Sequence, residues 1–323
     1  MSRTRLYRSG ILEVEDFPIE ETSEYLRDPG AMVWLDFCAP TEADLAAISE
    51  ELNLHRLAVE DAVQVHERPK LDRYESHLFV TAYAVALDVG TGELATSEVA
   101  AFVTPNALVT VRKDDRFDME AVVSRWDESA DLAKCGVSFL LHGLLDHVVD
   151  GHFTTVQELD GAIESLEDLL FDDRPHDRQV QRRSFELRKS LVLLRRVVLP
   201  MREMVNSLLR RDLHVLDEAM VPYFQDVYDH VLRATEWTES LRDLVTTILE
   251  TNLTIQGNRM NLIMKKVTSW AAIIAVPTAV TGFYGQNVPY PGFSNVAGFW
   301  ASSTLIVVLS VGLYVMFRRR DWI

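Results

Sequence analysis

The rhythm of hydrophobic and polar positions changes as the chain proceeds. Over residues 1–113, runs rich in Val, Phe, Tyr and Thr at Met32–Phe37, His77–Leu87, Glu98–Val103 and Ala107–Val111 alternate with Gly, Pro and Asn. That alternation predicts strands separated by turns. Thr41-Glu-Ala-Asp44 has the form of a capped helix start, so a helix is expected after the first of these strands. Beyond residue 115 the pattern is helical. Val137–Phe171, Val180–Arg211 and the stretch from Leu213 onward are long, charged and nearly free of Gly and Pro. Between Asp226 and Pro277 there is no other proline and a single glycine, Gly257, which predicts one helix of about 75 Å.

Two apolar segments close the chain, Val267–Phe283 and Val296–Phe317, the second without a charge. At 1.5 Å per residue they reach about 25 and 33 Å, near the thickness of a bilayer's hydrocarbon core. A pair of buried core helices is the alternative, but after the second segment only six residues remain to build a domain around it. Lys265 and Lys266 precede the first segment, Arg318, Arg319 and Arg320 follow the second, and the connection Tyr284–Asn295 is uncharged. The positive-inside tendency then places both outer flanks, and the long N-terminal part, in the cytoplasm of a cell or inner membrane protein. "MSRTRLYRSG" is not followed by a signal-peptide apolar stretch, and Cys38 and Cys135 suit reduced thiols.

Net charge sharpens this division. Of a total of −17, residues 264–323 carry +4, so residues 1–263 carry −21. Such an excess repels nucleic acid and attracts cations. No phosphate-binding loop and no recognisable nucleophile motif is present, so an enzyme has no residues to name. The run "HGLLDHVVDGH" places His142, His147 and His152 near Asp146 and Asp150, yet an i, i+5 spacing turns each histidine about 140° from the last, and a structural or solvent-facing role is expected.

Within the first apolar segment, Asn261, Met264, Thr268, Ala271, Ala275, Thr278 and Gly282 step by three and four residues. This is the seam of a helix packed in a left-handed arrangement with its own copies. Small residues on one stripe also serve close helix packing in membranes, and both readings stay open here. An aqueous path lined by this stripe requires several copies of a two-span chain. The stripe ends at "YGQN", where Gly285 permits a positive φ or a close backbone approach and Pro289 and Pro291 stiffen the exit.

"YGQN" after the first of two C-terminal spans, "YFQDVYDH" at Tyr223–His230, "VEDAVQVHERPKLDRYE" at Val59–Glu75 and the terminal "RRRDWI" together resemble the CorA-type magnesium and cobalt transporters over almost the whole chain. The resemblance implies an α+β membrane protein, a homopentameric funnel with a cytoplasmic α/β domain, long stalk helices and two C-terminal transmembrane helices. It implies a cytoplasmic α/β domain at residues 1–130, a long-helix region at 131–263, a pore-lining span at 264–284, an external loop at 285–295, an outer span at 296–317 and a basic tail at 318–323. A selectivity turn falls on Gly285, Gln286 and Asn287, and pore-lining positions on Asn261, Met264, Thr268, Ala275 and Thr278. Regulatory Mg2+ ligands between subunits fall on Glu60, Asp61, Asp160 and Asp226. The implied activity is potential-driven Mg2+ uptake, with Co2+ and Ni2+ tolerated, gated by cytoplasmic Mg2+, in a homo-oligomer within membrane lipid. Gln286 stands where Met is usual, and the external loop lacks the acidic residue many members carry. A Zn2+, Co2+ or Ni2+ transporter, with or without proton coupling, and a non-conducting Mg2+ sensor therefore stay open.

Overall fold

The computed structural model describes residues 2–64, 68–171, 177–210, 216–286, 289 and 294–323. They divide into two compact units, Met1–Ile248 and Leu249–Ile323.

In the first unit, β1 (Ser2–Arg8), β2 (Ile11–Glu15), the single-turn helix α1 (Thr22–Tyr25) and β3 (Ala31–Cys38) are followed by helices α2 (Glu42–Glu51) and α3 (Arg56–Val63). Then come β4 (Lys70–Arg73), β5 (Leu78–Asp88), β6 (Glu93–Val103) and β7 (Ala107–Arg112). The seven strands form one sheet in the order β2-β1-β3-β7-β6-β5-β4. Only β3 and β7 pair in parallel, with Val33 opposite Ala107 and Phe37 opposite Val111. The expected strands are all present, and β6 begins five residues earlier than its apolar run, at Glu93. The helix after β3 starts as expected: Thr41 Oγ1 accepts from Asp44 N at 3.3 Å and Asp44 Oδ2 accepts from Thr41 N at 2.7 Å, closing a reciprocal cap.

Each face of the sheet is covered. Val33, Leu35 and Phe37 of β3 point to a core with Leu45 and Ile48 of α2 and Ala58 and Ala62 of α3. Met32 and Trp34 point the other way, to α4 (Met119–Glu128) and α5 (Val137–Phe171). This explains why β3 is apolar on both faces rather than alternating. A third core joins Tyr83 and Val85 of β5 to α5, α6 (Asp177–Leu208) and the first part of α7 (Val221–Tyr284). Burying each large aliphatic or aromatic side chain here contributes about 1.5–3 kcal/mol before entropy is subtracted.

In the second unit lie the remainder of α7 and α8 (Val296–Arg319). Among the described residues, α7 and α8 are the two helices long and apolar enough to cross a membrane. The end of α8 accounts for "RRRDWI". Asp321 adopts φ +54°, its N–H donates to Arg318 O at 3.3 Å, and Trp322 N–H donates to Phe317 O at 3.0 Å. The rings of Phe317 and Trp322 stack at 5.6 Å, completing a left-handed helix cap with its apolar contact.

Candidate cation path and carboxylate sites

On α7, Asn261, Met264, Thr268, Ala271, Ala275, Thr278 and Gly282 are all exposed in the single chain. Ser269 is fully buried and Ile273, Val276 and Val280 are half-buried, with Trp270 6.4 Å from Tyr314 of α8. At 100° per residue the two sets lie roughly 150° apart around the helix. The small and polar stripe is therefore part of the face that the hairpin itself leaves open, beside the equally exposed Val267, Ile274 and Phe283. Thr278 Oγ1 donates to Ile274 O at 3.1 Å and Thr281 Oγ1 to Pro277 O at 2.8 Å. The helix continues through Pro277, which has no N–H to donate.

Helix α7 ends at Tyr284, and Gly285 N–H donates to Thr281 O at 2.9 Å. A Cβ at Gly285 would lie 3.0 Å from that same carbonyl, and its φ is not in the left-handed region. Of the two roles open to Gly285, the close approach is the one observed. Gln286 is exposed, with its N–H 3.4 Å from Phe283 O. Asn287 lies outside the described residues.

The four carboxylates sit on three elements. Glu60 and Asp61 are on α3, Asp160 on α5 and Asp226 on α7. Glu60 is exposed and accepts from Gln64 Nε2 at 3.0 Å. Asp61 Oδ2 accepts from Lys70 Nζ at 2.5 Å, and the same ammonium is 2.9 Å from Asp72 Oδ2. Burial would depress the Lys70 ammonium, but its hydrogen bonds to Asp61 and Asp72 outweigh this and hold its pKa above the usual lysine range. Asp226 is 65% exposed, 3.8 Å from His230 Nδ1 one turn on. Asp160 is half-buried. Among the described residues, no three of these carboxylates converge within one chain.

The group that does converge is Asp146, Asp150 and His230, with ligand-capable atoms within 4.8 Å of one another. Arg125 already bridges the two carboxylates, through Nη1 to Asp146 and through Nη2 to Asp150 at 2.8 Å. The sequence signal was half present in "HGLLDHVVDGH", but His230 lies eighty residues on and only tertiary packing brings it there. The three histidines of that run take separate places. His152 is fully buried with Nε2 2.7 Å from Tyr83 O, His142 packs edge-on against Tyr223 and Phe224, and His147 packs against Phe117. Burial pushes all three below the usual histidine range, His152 to about 4.

Known proteins share this fold. The profile of the family described as CorA-like Mg2+ transporter protein matches residues 29–319. The cobalt/magnesium transport protein CorA of Thermotoga maritima is 29% identical over 326 residues, covering 97% of this chain and 92% of the relative. The protein of the same name from Methanocaldococcus jannaschii is 25% identical over 299 residues, covering 90% and 92%. The complete structure of a CorA magnesium transporter from M. jannaschii superposes with a TM-score of 0.80 at 22% identity, covering 100% of this chain and 99% of that one. With a family profile spanning nine-tenths of its length, the chain belongs to the CorA-like Mg2+ transporter family.

Proposed function

We propose that this protein conducts divalent cations, Mg2+ foremost with Co2+ and Ni2+ tolerated, inward through a homopentameric pore in the cell membrane. The observation that carries the reading is the open stripe on α7, opposite the face that packs in the hairpin and leading to Gly285 and Gln286. Copies of α7 close a ring by turning that stripe inward. Asn261, Met264, Thr268, Ala275 and Thr278 then line the path, and Gly285, Gln286 and Asn287 form its outer mouth, with both termini cytoplasmic. Residues 264–284 and 296–317 cross the bilayer, 285–295 form the external loop, 1–130 and 131–263 lie inside with the tail 318–323.

A ring of neutral amides suits Mg2+, which surrenders its water reluctantly: amide oxygens accept hydrogen bonds from the hydrated ion without binding it too tightly for release. A divalent ion gains about 4.6 kcal/mol per 100 mV on entering a negative interior, so inward flow needs no nucleotide. It does need a brake. Glu60, Asp61 and Asp226, with Asp160, offer only carboxylate oxygens, the donor set that Mg2+ prefers, and since one chain does not gather them the site is completed by a neighbouring subunit. Bound Mg2+ would neutralise Asp61 facing Asp226 of the next copy. Its loss would leave like charges opposed, loosen the ring and open a constriction near Met264 and Val267.

Reconstituted protein in vesicles with an imposed negative-inside potential tests this directly. Mg2+ influx is expected, competing with Co2+ and Ni2+, and the Asp61→Asn/Asp226→Asn double variant is expected to remain active at internal Mg2+ that silences the wild type. Influx of Zn2+ in preference to Mg2+ would support the alternative cargo, and no influx of any divalent ion would reduce the protein to a sensor.

A further inference from the structure

The segment Val59–Glu75 does more than supply Glu60 and Asp61. It runs from α3 into β4 so that Lys70, nine residues after Asp61, returns to the carboxylate at 2.5 Å. Lys70 is not a surface lysine sampling solvent. Its side chain is 25% exposed, its Nζ is shared with Asp72 at 2.9 Å, and it stands 5.3 Å from the centroid of the Phe79 ring. A second ammonium, that of Lys113, donates to Ala62 O and to Gln64 O at the end of the same helix and lies 3.4 Å from Glu98. The carboxylate end of α3 is thus framed by two fixed positive charges from β4 and from the residue after β7.

We infer that Lys70 is a built-in competitor of the regulatory cation, setting the concentration at which Asp61 is taken over by Mg2+. The inference rests on reading Asp61 as a regulatory ligand. An oxygen that accepts from an ammonium at 2.5 Å cannot at once serve a metal's inner shell or the water of a hydrated ion at full strength. Mg2+ bound through either oxygen of Asp61 meets the positive charge of Lys70 and is opposed by it, and because the lysine is tethered it is present at a high effective concentration. The consequence is a deliberately weakened site, one that stays responsive as internal Mg2+ rises instead of saturating early. Asp72 gives the displaced ammonium somewhere to go, so release costs less than it would for a lysine with a single partner.

The test uses purified full-length protein in detergent, titrated with MgCl2 at constant ionic strength, reading protection from chymotrypsin. Lys70→Met keeps an unbranched apolar side chain beside Phe79 and removes the charge. Its protection midpoint is expected to fall about three- to fivefold, the scale of a partly buried ion pair that still reaches solvent. Lys70→Arg, which keeps the charge, is expected to stay within about twofold of wild type. If Asp61→Asn abolishes protection while Lys70→Met leaves the midpoint where it was, the competitor role is overturned and the reading of Asp61 stands. If Asp61→Asn leaves protection intact, that reading falls and the inference with it. Equal shifts in the Met and Arg variants would also overturn it, by showing that packing and not charge sets the midpoint.

Discussion

Gly143 on α5 leaves room for one particular ring. A Cβ there would lie 2.4 Å from Trp126 Nε1, whose N–H donates to Leu140 O at 3.2 Å while the indole meets Trp34 edge-on at 5.0 Å. The close contact is with a ring locked in a core, not with a flexible chain end. Gly143→Ala is therefore expected to destabilise the first unit by about 1–3 kcal/mol, seen as a lowered thermal midpoint, and Gly143→Ala with Trp126→Phe to recover part of the loss. Two histidines make the fold sensitive to acid. His77 and His152 are buried and held neutral, both with pKa near 4, by desolvation and, for His77, by neighbouring His55. Between about pH 6.5 and 4 the unfolded chain binds protons that the folded one refuses, so stability falls as pH drops through that window. Denaturant melts at pH 7 and pH 5 should differ, and His77→Phe should narrow the difference. Neither position was singled out by its spacing: a glycine in a helical run looks like any other, and for His152 the sequence left a structural and a solvent-facing role open until Tyr83 O was placed against it.

At the scale of elements, periodicity did most of the work where packing follows it. The four apolar strands, the cap at Thr41 and the long helices were readable because a buried face imposes its own spacing. Strand β1 was not. Arg5 sits in a strand buried on both sides at 4% exposure, because its guanidinium is tied to Glu15 at 2.6 Å, to Asp127 at 2.8 and 3.1 Å and to Tyr7. A charge satisfied from α4, over a hundred residues away, disguises a core strand as a surface tail. The end of α8 makes a sharper expectation. Asp321 holds a left-handed conformation so that Trp322 can stack on Phe317. Asp321→Gly is expected to leave the cap intact, whereas a β-branched Asp321→Val costs about 1–2 kcal/mol locally and speeds amide exchange at Trp322.

For the whole molecule, the large buried clusters among the described residues lie within residues 6–248, so a chain ending at Ile248 is expected to melt cooperatively by circular dichroism without the two long apolar helices. A chain so cut that shows no cooperative transition would mean that the second unit is needed for the first to fold. The charge division and the two apolar segments announced a membrane protein with an acidic soluble part because both are sums over many residues. The proposed carboxylate sites were not legible in the same way: a ligand set shared between copies would leave no signature in the spacing of one copy, and the ammonium lying against Asp61 is visible only when β4 is placed beside α3. One small contact carries a further consequence. Thr278 commits its hydroxyl proton to the carbonyl of Ile274, so the oxygen that faces outward offers lone pairs and no hydrogen. In a ring of such helices, water held by a cation finds acceptors at this level, while chloride, which must be given protons to shed its own water, finds none from this side chain. Anion rejection would then begin with a helix bonding to itself, before any charge on the wall is considered.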